Sequence, residues 1–241
     1  GNPMDGGSFT NPALVSAQLK LLWEVGQKEK AFATLCTFTY DLSAAPCLQA
    51  DQLVSPKVPE SLPCDEPLYY GLRKILCKCF LKQGQWQMEL NSHWTDDKAA
   101  ESGVLGSFLI PTILYSDWYK GWHYWALANY EVISSKSTRL RNREDHVTPK
   151  EHESGNESEL VKLHAIPAMK GFFRSIELSS SVAIQDLLRL LGLWFAYGGY
   201  PFAATEIEKG INDLSIETWL QVLPQLFSRL HHPDKVVNNA L

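Results

Sequence analysis

The chain lacks most of the patterns that mark a sequence as an enzyme. No glycine-rich phosphate loop follows a strand, because no segment alternates apolar and polar residues well enough to be one. The H-E-x-x-H zinc pair, the G-x-S-x-G elbow and the His-Arg-Asp and Asp-Phe-Gly kinase motifs are all missing. No apolar run reaches the ~18 residues that a spanning helix needs, and no leader-like pattern is visible. The reading is therefore of a scaffold without catalytic residues, with no direct membrane insertion.

Cysteine is sparse and unpaired in pattern. Cys36, Cys47, Cys64, Cys77 and Cys79 are odd in number and irregular in spacing, which fits neither a disulfide framework nor a zinc site. They read as thiols of a reducing compartment, so a cytoplasmic or nuclear location is expected. Histidine offers no metal site either. His123 sits between Trp122 and Tyr124 as a packed helical residue, His164 has no ligand-spaced partner, and His231 and His232 fall at a helix end. A net charge of −5 argues against general nucleic-acid binding, so any anion site must be local.

What is present is helix. Of the 241 residues, 45% are apolar, with eight Trp, ten Phe and nine Tyr to anchor helix against helix. Residues 13–25 place Leu14, Leu21, Leu22 and Val25 on one stripe, and Gly26 punctuates before a helix from Glu29 to Tyr40. Four prolines make residues 43–66 a loop. Leu68 to Lys82 is helical with Leu72, Ile75, Leu76, Cys79 and Phe80 facing in, and Gly84 is expected to break it. Gly103 to Leu114 is a helix interrupted near Pro111, and Asp117 caps Trp118 to Ile133. Further helices are expected at 160–178, 182–197, 201–210 and 215–231.

A weak repeat runs through these turns. Gly26 is followed by Ala31, Gly84 by Trp86, and Gly198 by Tyr200 and Ala203. Glycine, an aromatic two later and a small residue three after that match the turn of a tetratricopeptide-type hairpin, with glycine supplying positive φ. The fold class is all-α, an α-solenoid of TPR-like and HEAT-like hairpins. Residues 1–12 read as a linker or tag-like segment, 13–133 as TPR-like hairpins, 134–160 as a flexible charged loop, and 161–241 as further TPR/HEAT-like hairpins that stop within a helical pattern.

The stretch RKILCKCFLKQGQW (residues 73–86) raises one question of chemistry. Lys74, Lys78 and Lys82 recur at i, i+4 and i+8 with no acid among them, so the helix tolerates like-charge repulsion on one face. A solvated basic face whose stems cover the helix is one reading; half of an anion pocket is the other.

Three stretches carry a family resemblance: KCFLKQGQW (78–86), DWYKGWHYWALANYEVIS (117–134), and AIPAMKGFFRSIELS (165–179) continuing through IQDLLRLLGLWFAYGG (184–199) to IETWLQVLPQLFSRLHHPD (216–234). They resemble the FAT region of target-of-rapamycin (TOR) kinases, in wording closer to fungal than to animal members. The resemblance implies a non-catalytic helical collar around a kinase domain that this chain lacks. The parent would phosphorylate Ser/Thr with ATP and Mg in that absent domain. It also implies an inositol polyphosphate pocket, such as for inositol hexakisphosphate, with Lys78, Lys82 and Lys120 matching its basic positions. Lys74 and Arg73 are rim candidates, and Lys170 with Arg174 a further basic pair of lower standing. Implied partners are the remaining TOR chain (kinase domain and HEAT repeats) and TOR complex subunits, with peripheral association at vacuolar or lysosomal membranes through them. An independent TPR-like adaptor that binds peptides is the rival reading.

Overall fold

The computed structural model describes residues 11–44, 48, 66–144, 153–179 and 183–222. Among them every regular element is helical, with no strand. The linker at 1–10, most of the proline-rich stretch, the HEAT-like pattern beyond 222, Cys47, Cys64, His231 and His232 lie outside the described residues.

Helix α1 (Pro12–Glu24) starts where Asn11 accepts from the Ala13 amide at 3.0 Å and Pro12 fills the first helical position. It turns at Gly26, whose φ of +87° is the only positive value among the described residues, into α2 (Lys28–Ser43). The stripe read from residues 13–25 is half corrected. Val15 and Leu19 are buried, while Leu14, Leu21 and Val25 are exposed. The helix carries two apolar faces, and periodicity alone does not say which one packs.

Helix α3 runs unbroken from Glu66 to Leu90, so Gly84 does not end it. A Cβ at Gly84 would lie 2.5 Å from the Phe108 ring. This glycine allows close approach of two helices and makes no turn. Helix α4 (Lys98–Leu114) is capped by Asp97, which accepts from the Ala99 amide at 2.8 Å. Pro111 sits within the helix without interrupting it, one turn before the end.

Helix α5 (Tyr119–Glu144) begins one residue later than expected and continues well past Ile133. The expected charged loop at 134–160 is therefore corrected at both ends, since 134–144 belong to α5 and α6 spans Glu153–Leu160. Charge density removes the apolar stripe but not helix propensity. A π-helical turn (Val161–Ala165) joins α6 to α7 (Ile166–Leu178). Then come α8 (Ala183–Tyr197), α9 (Pro201–Asp213) and the short α10 (Ile216–Leu220).

Packing is between helices close in the chain: α1 through α5 pack in order, α5 packs most extensively on α7 past the short α6, and α7 carries both α8 and α9. The core is divided accordingly. One cluster joins α1, α2 and α3 around Leu35 and Trp86; a second joins α2, α3 and α4 around Leu76 and Leu114. A third joins α3, α4 and α5 around Val104 and Phe108, and the largest gathers α5 and α7–α10 around Phe172, Leu190 and Trp194. A string of small cores along the chain is the packing of a helical solenoid. Of the three repeat turns, those at Gly26 and Gly198 are real. At Gly198 the backbone keeps negative φ, and glycine is needed because a Cβ would meet the Trp194 carbonyl at 2.6 Å.

Candidate functional site

Lys74, Lys78 and Lys82 are all exposed on α3, as the spacing predicts. Leu76, Cys77, Cys79 and Phe80 occupy the opposite side and anchor the helix in two of the cores. Arg73 does not share the lysine face. It is 6% exposed, donates Nη1 to the Tyr69 hydroxyl at 2.8 Å, and lies 5.6 Å from that ring's centroid. The three lysines have no ion-pair partner among the described residues. Lys82 does have a platform: its Nζ lies 5.4 Å from the Trp86 ring centroid.

Lys120 is the second residue of α5 and is exposed. Its place relative to α3 follows from packing. Gly84 meets Phe108, and Leu76 and Cys77 cluster with Leu114, so α3 and α4 are antiparallel. Phe108 stacks with Tyr124 at 5.7 Å and Pro111 meets Gly121, so α4 and α5 are antiparallel too. Hence α3 and α5 run parallel. A cleft of about 320 Å³ is lined by Gln85, Met88 and Glu89 from α3, Phe108 from α4, and Tyr124, Leu127 and Ala128 from α5. Lys82 lies six residues before Met88 and Lys120 four before Tyr124, so both sit about 6–9 Å from the cleft, on the N-terminal side of it along their parallel helices. Lys120 also sits in the first turn of α5, at the positive end of the helix dipole.

The other sequence candidates are engaged elsewhere. Lys170 pairs with Glu206 at 3.6 Å. Arg174 bridges Asp117 at 3.2 Å and Glu177 at 2.7 Å. Asp117, read as a helix cap, thus holds α7 against the start of α5.

Two buried polar networks had no signal in the sequence. Asp186 on α8 is fully buried. Its carboxylate accepts from His123 Nδ1 (2.9 Å), Ser175 Oγ (2.8 Å) and Arg189 Nη1 (3.3 Å), tying α5, α7 and α8 together. Ser175 donates to the carboxylate and not to the imidazole, and a fully enclosed acid meets no substrate, so the arrangement is structural. The second network joins α4, α5 and the π turn. Lys136 Nζ meets Glu101 Oε2 at 2.5 Å, and His164 lies 3.5 Å from Glu101 Oε1 through Nε2. Asn129 gives its amide hydrogens to the Trp125 carbonyl at 2.9 Å, so its Oδ1 accepts from His164 Nδ1 at 3.2 Å. Burial holds the His164 pKa below the usual imidazole value, Glu101 pulls it up, and Lys136 pushes it down.

No thiol among the described residues is activated: burial also raises Cys36. Burial pushes Cys77 up to about 12, opposed by the Arg73 guanidinium, and pushes Cys79 up to about 11. Both stay protonated and inert at neutral pH. Among the described residues no cluster of His, Cys, Asp and Glu could hold a metal.

The arrangement groups exposed cations on α3 and at the start of α5. Comparison with known proteins gives the family. The FAT domain model matches residues 2–192. The serine/threonine-protein kinase TOR2 of Saccharomyces cerevisiae is 37% identical over 250 residues, covering 96% of this chain and 10% of that protein. The serine/threonine-protein kinase tor1 of Schizosaccharomyces pombe is 32% identical over 99% of this chain and 10% of its own length. The Drosophila melanogaster serine/threonine-protein kinase mTor is 30% identical over 100% of this chain and 9% of its own length. The chain thus spans about a tenth of the curated relatives it matches. With the sequential helical cores and this match over most of its length, the chain belongs to the FAT domain family.

Proposed function

We propose that this chain is a non-catalytic FAT scaffold segment of a TOR-type serine/threonine kinase, and that it binds an inositol polyphosphate through Lys78, Lys82 and Lys120. The observation that carries the reading is the exposed face of α3 on which Lys74, Lys78 and Lys82 have no ion-pair partner among the described residues, in a chain of net charge −5. A ligand with many phosphates needs several cations converging from neighbouring hairpins. Lys78 and Lys82 supply two from one helix, and Lys120 adds a third beside a helix N-terminus. The parent kinase would control growth in response to nutrients, using ATP and Mg in its own kinase domain. The helical collar would support that domain and meet complex subunits in the cytoplasm, at vacuolar or lysosomal surfaces, or in the nucleus.

Calorimetric titration of inositol hexakisphosphate into the intact chain at physiological salt tests this reading. Wild type is expected to bind, and Lys78→Glu, Lys82→Glu, Lys120→Glu in one folded chain to abolish binding. Lys170→Ala with Arg174→Ala is expected to leave it unchanged, since those cations already have acid partners. A well-folded wild type that shows no heat of binding would leave the stripe as a solvated face.

A further inference from the structure

Four side chains form one stack across the first three helices. The Trp23 and Trp86 rings lie 4.1 Å apart and within 4° of parallel. That gap admits no third group, so each ammonium sits on an outer side of the pair. Lys28 Nζ is 5.1 Å from the Trp23 centroid, and Lys82 Nζ is 5.4 Å from the Trp86 centroid. The two ends differ. Lys28 donates to Glu89 Oε1 at 2.7 Å, so its charge is already met. Lys82 has no acid partner among the described residues.

Trp86 is 3% exposed and packed among Val15, Leu19, Ala31, Leu35 and Cys79, so its ring is fixed. A free lysine samples many rotamers and loses that freedom when it grips a ligand. A fixed ring face that attracts the ammonium restricts it beforehand. Trp23 lies in the last turn of α1 and Lys28 begins α2, so the ring that backs Trp86 and the ammonium that pairs with Glu89 of α3 both belong to the first hairpin.

From this we infer that Trp86, backed by Trp23, is a positioning residue for the anion site at Lys82, and that site occupancy is coupled to docking of the α1–α2 hairpin on α3. The inference rests on the inositol polyphosphate reading above. Linkage makes the coupling reciprocal: if the docked hairpin tightens the site, the bound ligand steadies the hairpin by the same factor.

The test is calorimetry of inositol hexakisphosphate with the intact chain and four variants: Trp86→Leu, Trp86→Phe, Lys82→Gln, and Lys82→Gln with Trp86→Leu. Loss of the ring face is expected to weaken binding about two- to five-fold, the size of an exposed cation–π contact. Phenylalanine keeps a face and is expected to recover most of the loss. In the Lys82→Gln background, Trp86→Leu is expected to have no further effect. Ligand is also expected to slow amide hydrogen exchange in α1 and α2 of wild type, and less so in Trp23→Leu, which serves where Trp86→Leu does not fold. Wild-type affinity in folded Trp86→Leu, an undiminished loss in the Lys82→Gln background, or unchanged exchange in α1–α2 under saturating ligand overturns the inference while leaving the site itself standing. Absence of binding by wild type removes the site and the inference together.

Discussion

Replacing Gly84 by alanine in the middle of α3 separates a packing role for this glycine from a turn role. The added Cβ would lie 2.5, 2.6 and 2.9 Å from Cε1, Cζ and Cδ1 of Phe108, against about 3.5–4.0 Å for a relaxed carbon contact. Phe108 cannot swing away easily: it is 1% exposed and stacked on Tyr124 at 5.7 Å. Overpacking of this kind costs about 1–3 kcal/mol, and alanine in a helix interior returns about 1 kcal/mol. With more than an ångström of overlap the net loss is about 1–2 kcal/mol, a fall in Tm of about 3–6 °C for a chain of this size. Gly106 in α4 is the control, because a Cβ there meets nothing within 4 Å. Its change to alanine is expected to raise Tm by about 2–4 °C through helix propensity alone. Scanning calorimetry measures both, and urea titration of Gly84→Ala, Phe108→Leu and the double variant gives their coupling. Equal stabilisation by both alanines, or no coupling between Gly84 and Phe108, would refute the close-approach account of α3 on α4.

Two further outcomes follow from the buried networks. Asp186→Asn leaves His123, Ser175 and Arg189 without their shared carboxylate and is expected to cost about 2–3 kcal/mol by urea denaturation, at the low end for a buried charge because His123 and Arg189 retain partial access to water. For His164, burial places the folded-state pKa below the unfolded value of about 6.5, so the unfolded chain takes up a proton first as pH falls. The stability it contributes is complete above that unfolded value and is lost as pH drops towards the lower folded pKa; His164→Gln is expected to flatten Tm against pH over that window. The Glu131 carboxyl, raised by burial and lowered by Arg189, acts in the opposite sense in the carboxylate range, so the His164 effect is read above it.

Much of the fold was legible because helical patterning is local. Gly26, Gly198 and the inward face of α3 all follow from spacing, and so does the exposed lysine stripe. Other features are set by contacts across the chain. Gly84 looks like a breaker until Phe108, 24 residues on, is placed against it. The charged segment after Ile133 loses its apolar stripe yet stays helical to Glu144, because helix propensity does not depend on a stripe. Leu14, Leu21 and Val25 form as regular a stripe as Val15 and Leu19, and only the neighbouring helices decide between them. The candidate site divides in the same way. Lys78 and Lys82 could be paired from their spacing. Arg73 is turned to the core by its position on the helix, and the ion pairs of Lys170 and Arg174 reach partners up to 57 residues away. The His123–Asp186 contact spans 63 residues, a separation at which sequence spacing carries no signal.

The most direct measurement is an experimental structure of the intact chain with inositol hexakisphosphate. The account predicts ligand density between α3 and the start of α5, with phosphate oxygens about 2.7–2.9 Å from the ammonium groups of Lys78, Lys82 and Lys120. Ligand density on any other face, or an empty lysine face at saturating ligand, would contradict it.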